Sequence, residues 1–148
     1  MSEEIQEGFG LSGPYERYGG RWSRKVAGEF LDWLNVPRLQ AWVDIGCGSG
    51  AVVDAILARF EPRSVGGIDL SAGDVTELRR RIHHPGARFA GGDPTSLPWP
   101  SASFDTAVSG LLLNAVADPA AMAEEMARVT RPGGRVAAYV WDYPRGMQ

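Results

Sequence analysis

Short apolar runs alternate with helical stripes along most of this chain, and no other feature restricts its fold as tightly. Ala41-Trp42-Val43-Asp44-Ile45 is a compact apolar run stopped by Gly46, the pattern of a strand covered on both faces. Val52, Val53, Ile56, Leu57 and Phe60 then recur at helical spacing. Ser64 to Ile68 reads as a second strand ended by Asp69, and Ser71 with Asp74 three residues on opens a helix through about Ile82. Ala87 to Ala90 is a third strand, Phe104 to Ser109 a fourth and Arg135 to Trp141 a fifth. Between the third and fourth, Pro94 to Ser103 is rich in Pro and Ser and reads as loop. Asp118-Pro119 is a cap followed by a first-turn proline, opening a helix through about Val129 that Arg131-Pro132-Gly133-Gly134 stops. Upstream, Val26, Ala27, Phe30, Leu31 and Leu34 form one stripe on a helix from Pro14 to Asn35, ended by Pro37. Alternation of this kind predicts an α/β fold: a doubly wound, mainly parallel sheet with right-handed crossovers and helices on both faces.

The 148 residues are room for one core. Residues 1–13 are acidic, Gly-rich and aperiodic, so a flexible N-terminal arm is expected there, with a single domain over 14–148. A net charge of −3 argues against binding nucleic acid through charge. No apolar run reaches the ~18 residues of a membrane span, and the acidic start is no signal peptide. One cysteine excludes an internal disulfide and any multi-cysteine metal site. These features predict a cytoplasmic protein.

Ligands of such sheets sit beyond the carboxyl ends of the strands. There lies Gly46-Cys47-Gly48-Ser49-Gly50. Glycines permit a sharp turn and close approach to main-chain N–H groups, and the next helix directs its positive end to the same place. All three glycines are therefore expected to serve a ligand. Gly46-x-Gly48-x-x-Ala51, with Asp69 at the distance of a ribose-binding acid, also fits the dinucleotide fingerprint. That pattern alone does not separate nicotinamide cofactors from other adenosyl ligands. Asp69 could accept from both ribose hydroxyls or cap a helix; Asp93 could accept from an adenine amino group or begin a turn before Pro94.

Taken together, the motifs resemble those of the class I S-adenosylmethionine-dependent methyltransferases, in particular the small-molecule enzymes of ubiquinone and menaquinone biosynthesis. Val43-Asp44-Ile45-Gly46-Cys47-Gly48-Ser49-Gly50 is similar to the family's first motif and Gly67-Ile68-Asp69-Leu70-Ser71 to its second. Gly92-Asp93 with Leu97-Pro98-Trp99 is similar to the third, while Ser103-Phe104-Asp105 and Arg131-Pro132-Gly133-Gly134 match the entries to strands four and five. The likeness runs over roughly residues 14–143. It implies a Rossmann-like fold, S-adenosyl-L-methionine as cofactor, S-adenosyl-L-homocysteine as product, and in-line methyl transfer to a small-molecule acceptor. By the same resemblance Gly46, Cys47, Gly48 and Gly50 would line the methionine portion, and Asp44 would orient its amino group. Asp69 would hold the ribose, Leu70 would pack on the adenine, Asp93 would accept from its amino group, and Ser109 would contact the methionine end through its backbone. Tyr15-x-x-Tyr18 and Gly20-Arg21-Trp22-Ser23 resemble the segment that closes over the cofactor, with Arg21 neutralising its carboxylate. For Tyr15 and Trp22, packing on the core is the alternative.

Two departures qualify the resemblance. Pro94 replaces the usual alanine and has no N–H, so either Thr95 N–H serves the adenine ring instead or the adenine is held less tightly. The family's final antiparallel hairpin, two strands beyond the fifth, is missing, which predicts an open strand-five edge available for self-association. No catalytic residue can be assigned. Cys47 reads as packing, Arg79-Arg80-Arg81 as a solvated face, His83 and His84 as helix-end residues, and Met122, Met126 and Val129 as core. Trp99 could touch a substrate or be buried. A pocket that binds but does not catalyse, or less readily a nicotinamide-dependent oxidoreductase, are the rival readings.

Overall fold

The computed structural model describes the backbone of residues 14–142 and the side chains of residues 21–142. The arm expected over 1–13 lies outside the described residues. The elements run α1 (Pro14–Leu34), β1 (Ala41–Ile45), α2 (Ala51–Phe60), β2 (Ser64–Asp69), α3 (Ala72–Arg81), β3 (Ala87–Gly91), β4 (Phe104–Gly110), α4 (Pro119–Val129) and β5 (Thr130–Tyr139). The strands form one sheet in the order β3-β2-β1-β4-β5, every neighbouring pair parallel. The chain winds outward from β1 to β3, then crosses back to β4, so the switch in direction falls between β1 and β4. That is where such sheets open a crevice.

Period-two alternation divides the core into two layers. Trp42, Val65, Val108 and Phe89 point to the face covered by α1, α2 and α3. Ala41, Val43, Ile45, Ile68 and Ala107 point to the other, where Met122, Met126 and Val129 of α4 meet Leu97 and Phe104. Helices occupy both faces as the alternation predicts, three on one side and one on the other. The loop 94–103 completes the thinner layer. Glu125 accepts from Leu97 N–H at 2.9 Å and Arg128 donates to Leu97 O at 3.1 Å, fastening this loop to α4. Trp99 sits edge-on against Phe104, centroids 5.3 Å apart, which is packing.

Two boundaries differ from expectation. Helix α1 ends at Leu34 rather than Asn35; Asn35 adopts φ 47 and donates to Leu31 O at 3.0 Å. This left-handed terminus closes the helix two residues before Pro37 acts. Strand β5 begins at Thr130, five residues earlier than predicted, and ends at Tyr139. Phe104 pairs with Thr130 and Thr106 with Arg135, so Arg131-Pro132-Gly133-Gly134 is an irregularity inside the strand, with Gly133 at φ 82. Asp105 binds this junction together. Its carboxylate accepts from Ala41 N–H and from Arg131, both at 2.8 Å. Against the opposing effect of partial burial, these donors hold its pKa below the usual carboxylate range.

Candidate functional site

Beyond Ile45 the chain turns through three left-handed glycines, Gly46 (φ 79), Gly48 (φ 48) and Gly50 (φ 95). The turn is anchored to the end of β2. Gly46 N–H and Cys47 N–H both donate to Ile68 O, at 2.8 and 3.1 Å, and Gly50 N–H donates to Cys47 O at 2.9 Å. Asp69 supplies the next anchor: Oδ2 accepts from Gly48 N–H at 2.9 Å and Oδ1 from Ser71 N–H at 2.8 Å. Ser71 itself caps α3 through Asp74 N–H, so Asp69 is not that helix's cap. Its carboxylate is fixed at the mouth of the crevice, and each oxygen retains a lone pair for a further donor.

The three glycines lack a Cβ for different reasons. A Cβ on Gly46 would lie 2.5 Å from Leu112 Cδ2, and one on Gly50 would lie 2.6 Å from Leu78 Cδ2 and 2.7 Å from Arg81 Nη2. Those two are bare because the protein itself fills the space. Only at Gly48 would a Cβ meet nothing within 4 Å. Gly48→Ala should therefore fold with a loss of about 1 kcal/mol from its positive φ, while cofactor affinity falls by tenfold or more, on the order of 1.4 kcal/mol. Thermal melting and calorimetric titration check the two halves separately; unchanged affinity would remove Gly48 from the site.

Beneath the turn lies Asp44, 1% exposed. Its Oδ1 has no hydrogen-bond partner among the described residues. Burial, with Asp69 adding repulsion, pushes its pKa up to about 8. An orphaned buried carboxyl oxygen is costly unless a cation or donor meets it. Helix α2 starts at Gly50 with no side-chain cap, leaving its first N–H groups for an anion. A free amino acid carries both charges, so these groups fit the methionine end of S-adenosylmethionine. Cys47 is 4% exposed and packs on Gly67, whose Cβ position is 3.0 Å from Sγ. Burial and the two aspartates push its thiol up, so it is a wall, not a nucleophile. Burial and Asp44 likewise raise the Tyr139 phenol, keeping it protonated.

The remaining predicted residues spread along the same rim. Leu70, 74% exposed, stands beside Asp69 as an uncovered apolar surface. Asp93 is exposed, and its Oδ1 accepts from Thr95 N–H at 2.8 Å and Thr95 Oγ1 at 2.7 Å, which lowers its pKa. The turn reading thus describes Oδ1, and Oδ2 is left for an adenine amino group. Thr95 N–H, next to the buried Pro94, is thus engaged with Asp93 in this structure. Ser109 is fully buried and donates from Oγ to Ile45 O at 2.8 Å, tying the ends of β4 and β1 together. Arg21 is exposed on α1 with no partner among the described residues. The side chains of Tyr15 and Tyr18 lie outside the described residues. Trp22 stacks on Trp141, centroids 4.8 Å apart and planes at 5°, rather than on the main core. His84 Nδ1 accepts from Gly86 N–H at 2.9 Å, a turn contact.

The arginine run is more than a solvated face. Arg79 donates to Phe89 O of β3, Arg80 pairs with Glu77, and Arg81 reaches Ser49 O and Asp54. Sequence reasoning missed Arg81, Leu112 and Tyr139 at the site. Nothing local marks them, because each meets the turn or Asp44 only through tertiary packing.

Comparison with known proteins fits this geometry. Residues 43–138 match the family described as "Methyltransferase domain". The chain is 32% identical over 127 residues to a demethylmenaquinone methyltransferase of Paenarthrobacter aurescens, covering 84% of this chain and 46% of that protein. Among solved structures, a methyltransferase in complex with the Haloferax volcanii Trm112 activator superposes with TM-score 0.73 at 28% identity, over 84% of this chain and 56% of that one. An S-adenosylmethionine-dependent methyltransferase from Mesorhizobium loti gives TM-score 0.66 at 28% identity, over 75% and 52%. The chain spans about a third to a half of the length of the curated relatives it matches. With the family's motifs placed around one crevice and its domain matched over more than half of the chain, this protein belongs to the class I S-adenosylmethionine-dependent methyltransferases.

Proposed function

We propose that this chain is the cofactor-binding core of a methyltransferase that acts on a small-molecule acceptor by in-line displacement. The observation that carries the reading is the buried, unpartnered Asp44 Oδ1 under a glycine turn whose one open position is Gly48. Asp44 would take the ammonium of the methionine end, and the uncapped start of α2, with Arg21, its carboxylate. Asp69 would accept from the ribose hydroxyls. Leu70 and Asp93 Oδ2 would receive the adenine, and Ser109 would border the methionine end through its backbone. When bound, the cofactor supplies a methyl group made electrophilic by a sulfonium centre. The protein's share is chiefly alignment, which can be worth roughly 7–11 kcal/mol. Cys47 and Tyr139 both hold their protons, so neither acts as general base. The small-molecule class is supported by relatives named for demethylmenaquinone and 2-phytyl-1,4-naphtoquinone.

A dinucleotide fits less well. Its pyrophosphate on the glycine turn would lie near the Asp69 carboxylate, a like charge, and would bring no cation to the orphaned Asp44 Oδ1. Calorimetry should show S-adenosylmethionine and S-adenosylhomocysteine binding with NAD not competing, and methyl transfer to a panel of small acceptors should separate an enzyme from a module that only binds. Binding of NAD in place of both would overturn the reading. No helix among the described residues is long and apolar enough to cross a membrane.

The two sheet edges also differ. Arg79 and Arg88 donate to the Phe89 and Ala87 carbonyls of β3, whereas β5 presents Val136, 46% exposed, and is followed by Val140, 47% exposed. Among the described residues no strand pairs with the outer side of β5, and an apolar edge favours strand addition, so the chain is expected to associate through β5. Sedimentation should show concentration-dependent association that Val136→Lys weakens; a strict monomer with freely exchanging β5 amides would contradict it.

A further inference from the structure

We propose that Arg81 is a positioning residue for the methionine end of the cofactor site, acting through the Ser49 carbonyl. It is the last residue of α3, yet its guanidinium reaches the glycine turn: Nη2 donates to Ser49 O at 2.9 Å, and Nη1 to Asp54 Oδ1 in the first turn of α2 at 2.8 Å. Gly50 is bare at the place where this fork arrives, since a Cβ there would stand 2.7 Å from Nη2. The turn is thus gripped by opposite charges from the two ends of one β2–α3 unit. Asp69 holds Gly48 N–H, and Arg81 holds Ser49 C=O. Between these grips lies left-handed Gly48, and left-handed Gly50 follows directly; glycine backbones have the most alternatives to lose. Fixing them in advance spares the ligand that ordering cost. The Arg81–Asp54 pair is itself about a third exposed on both sides, and exposed pairs contribute little to stability. Losing Arg81 should therefore appear mainly in ligand affinity. A planar fork holding two acceptors at once is a task for arginine rather than lysine.

The inference rests on the cofactor reading given above, and three ligands test it apart from that reading. S-adenosylmethionine and S-adenosylhomocysteine carry the amino-acid tail; methylthioadenosine keeps the nucleoside and sulfur without it. Arg81→Met should weaken the two tailed ligands by about tenfold, the scale of one lost hydrogen bond to a charged group. Methylthioadenosine affinity should stay within about twofold and the melting temperature should drop by only a few degrees. Arg81→Lys should fall between Met and the parent, and Asp54→Asn, which leaves the Ser49 contact in place, should cost less than about threefold. Equal loss for all three ligands, or no loss for any, would overturn the positioning role while leaving the cofactor reading intact. A parent protein that binds none of the three would overturn both.

Discussion

Asp44→Asn is expected to yield a protein at least as stable as the parent above neutral pH, with cofactor affinity reduced by roughly 10- to 150-fold, the equivalent of about 1.5–3 kcal/mol for a bond to a charged partner. The two effects have one cause. Unfolded, Asp44 titrates near 3.8; folded, it keeps its proton to about 8 because ionising it means burying a charge beside Asp69. Between those values the folded state holds one more proton than the unfolded state. Its stability contribution is therefore full below pH ~4, decays on the order of 1 kcal/mol per pH unit, and is gone above the folded pKa. Asparagine removes that slope, which urea midpoints measured from pH 5 to 9 would reveal. An arriving ammonium reverses the preference, since ionised Asp44 then has a partner. Binding near pH 7 should thus release a proton, visible as a calorimetric heat that depends on the buffer's ionisation enthalpy and vanishes in Asp44→Asn. Undiminished affinity in that variant would remove Asp44 from the site.

Asp69→Ala should be the more damaging change. It strips the acceptor from Gly48 N–H and Ser71 N–H together, loosening both the glycine turn and the entry to α3. With two charge-assisted bonds lost from a half-buried position, about 2–3 kcal/mol is expected, or a melting temperature lower by roughly 5–10 °C. Every ligand with a ribose should bind poorly, adenosine included, whereas Asp44→Asn should spare adenosine. Removing Asp69 also withdraws its repulsion, so the Asp44 pKa should fall while burial still holds it up, and the pH window over which stability declines should narrow. Asp69→Asn retains one acceptor oxygen and should separate turn support from sugar binding. Normal nucleoside affinity in Asp69→Ala would contradict the assignment of this carboxylate to the ribose.

Reading the elements from sequence succeeded where their causes are short-range. Strand β1 lies at Ala41–Ile45 as predicted, because both faces are covered and an uninterrupted apolar run can serve only a central strand there. Helix α4 starts where Asp118 and Pro119 place it, the Asp118 carboxylate accepting from Ala121 N–H at 3.0 Å. Strand β5 was harder to read. Pro132 and the two glycines after it look like a stop, yet ladder contacts with β4 resume beyond them and absorb them as an irregularity.

At the site the same division holds. Alternation and the glycine turn determined the α/β fold and pointed to the edge of the sheet where a ligand would sit, since backbone stereochemistry and side-chain periodicity are written in neighbouring residues, while the ligand class came from the resemblance of the ordered motifs. Tertiary structure alone decided which glycine stays open, which arginine of three grips the turn, that Thr95 N–H is already engaged, and that Asp44 lacks a partner. Those outcomes depend on how α3, the β4–α4 connection and β5 close around the turn, and burial and charge are properties of that assembled surrounding rather than of any single residue.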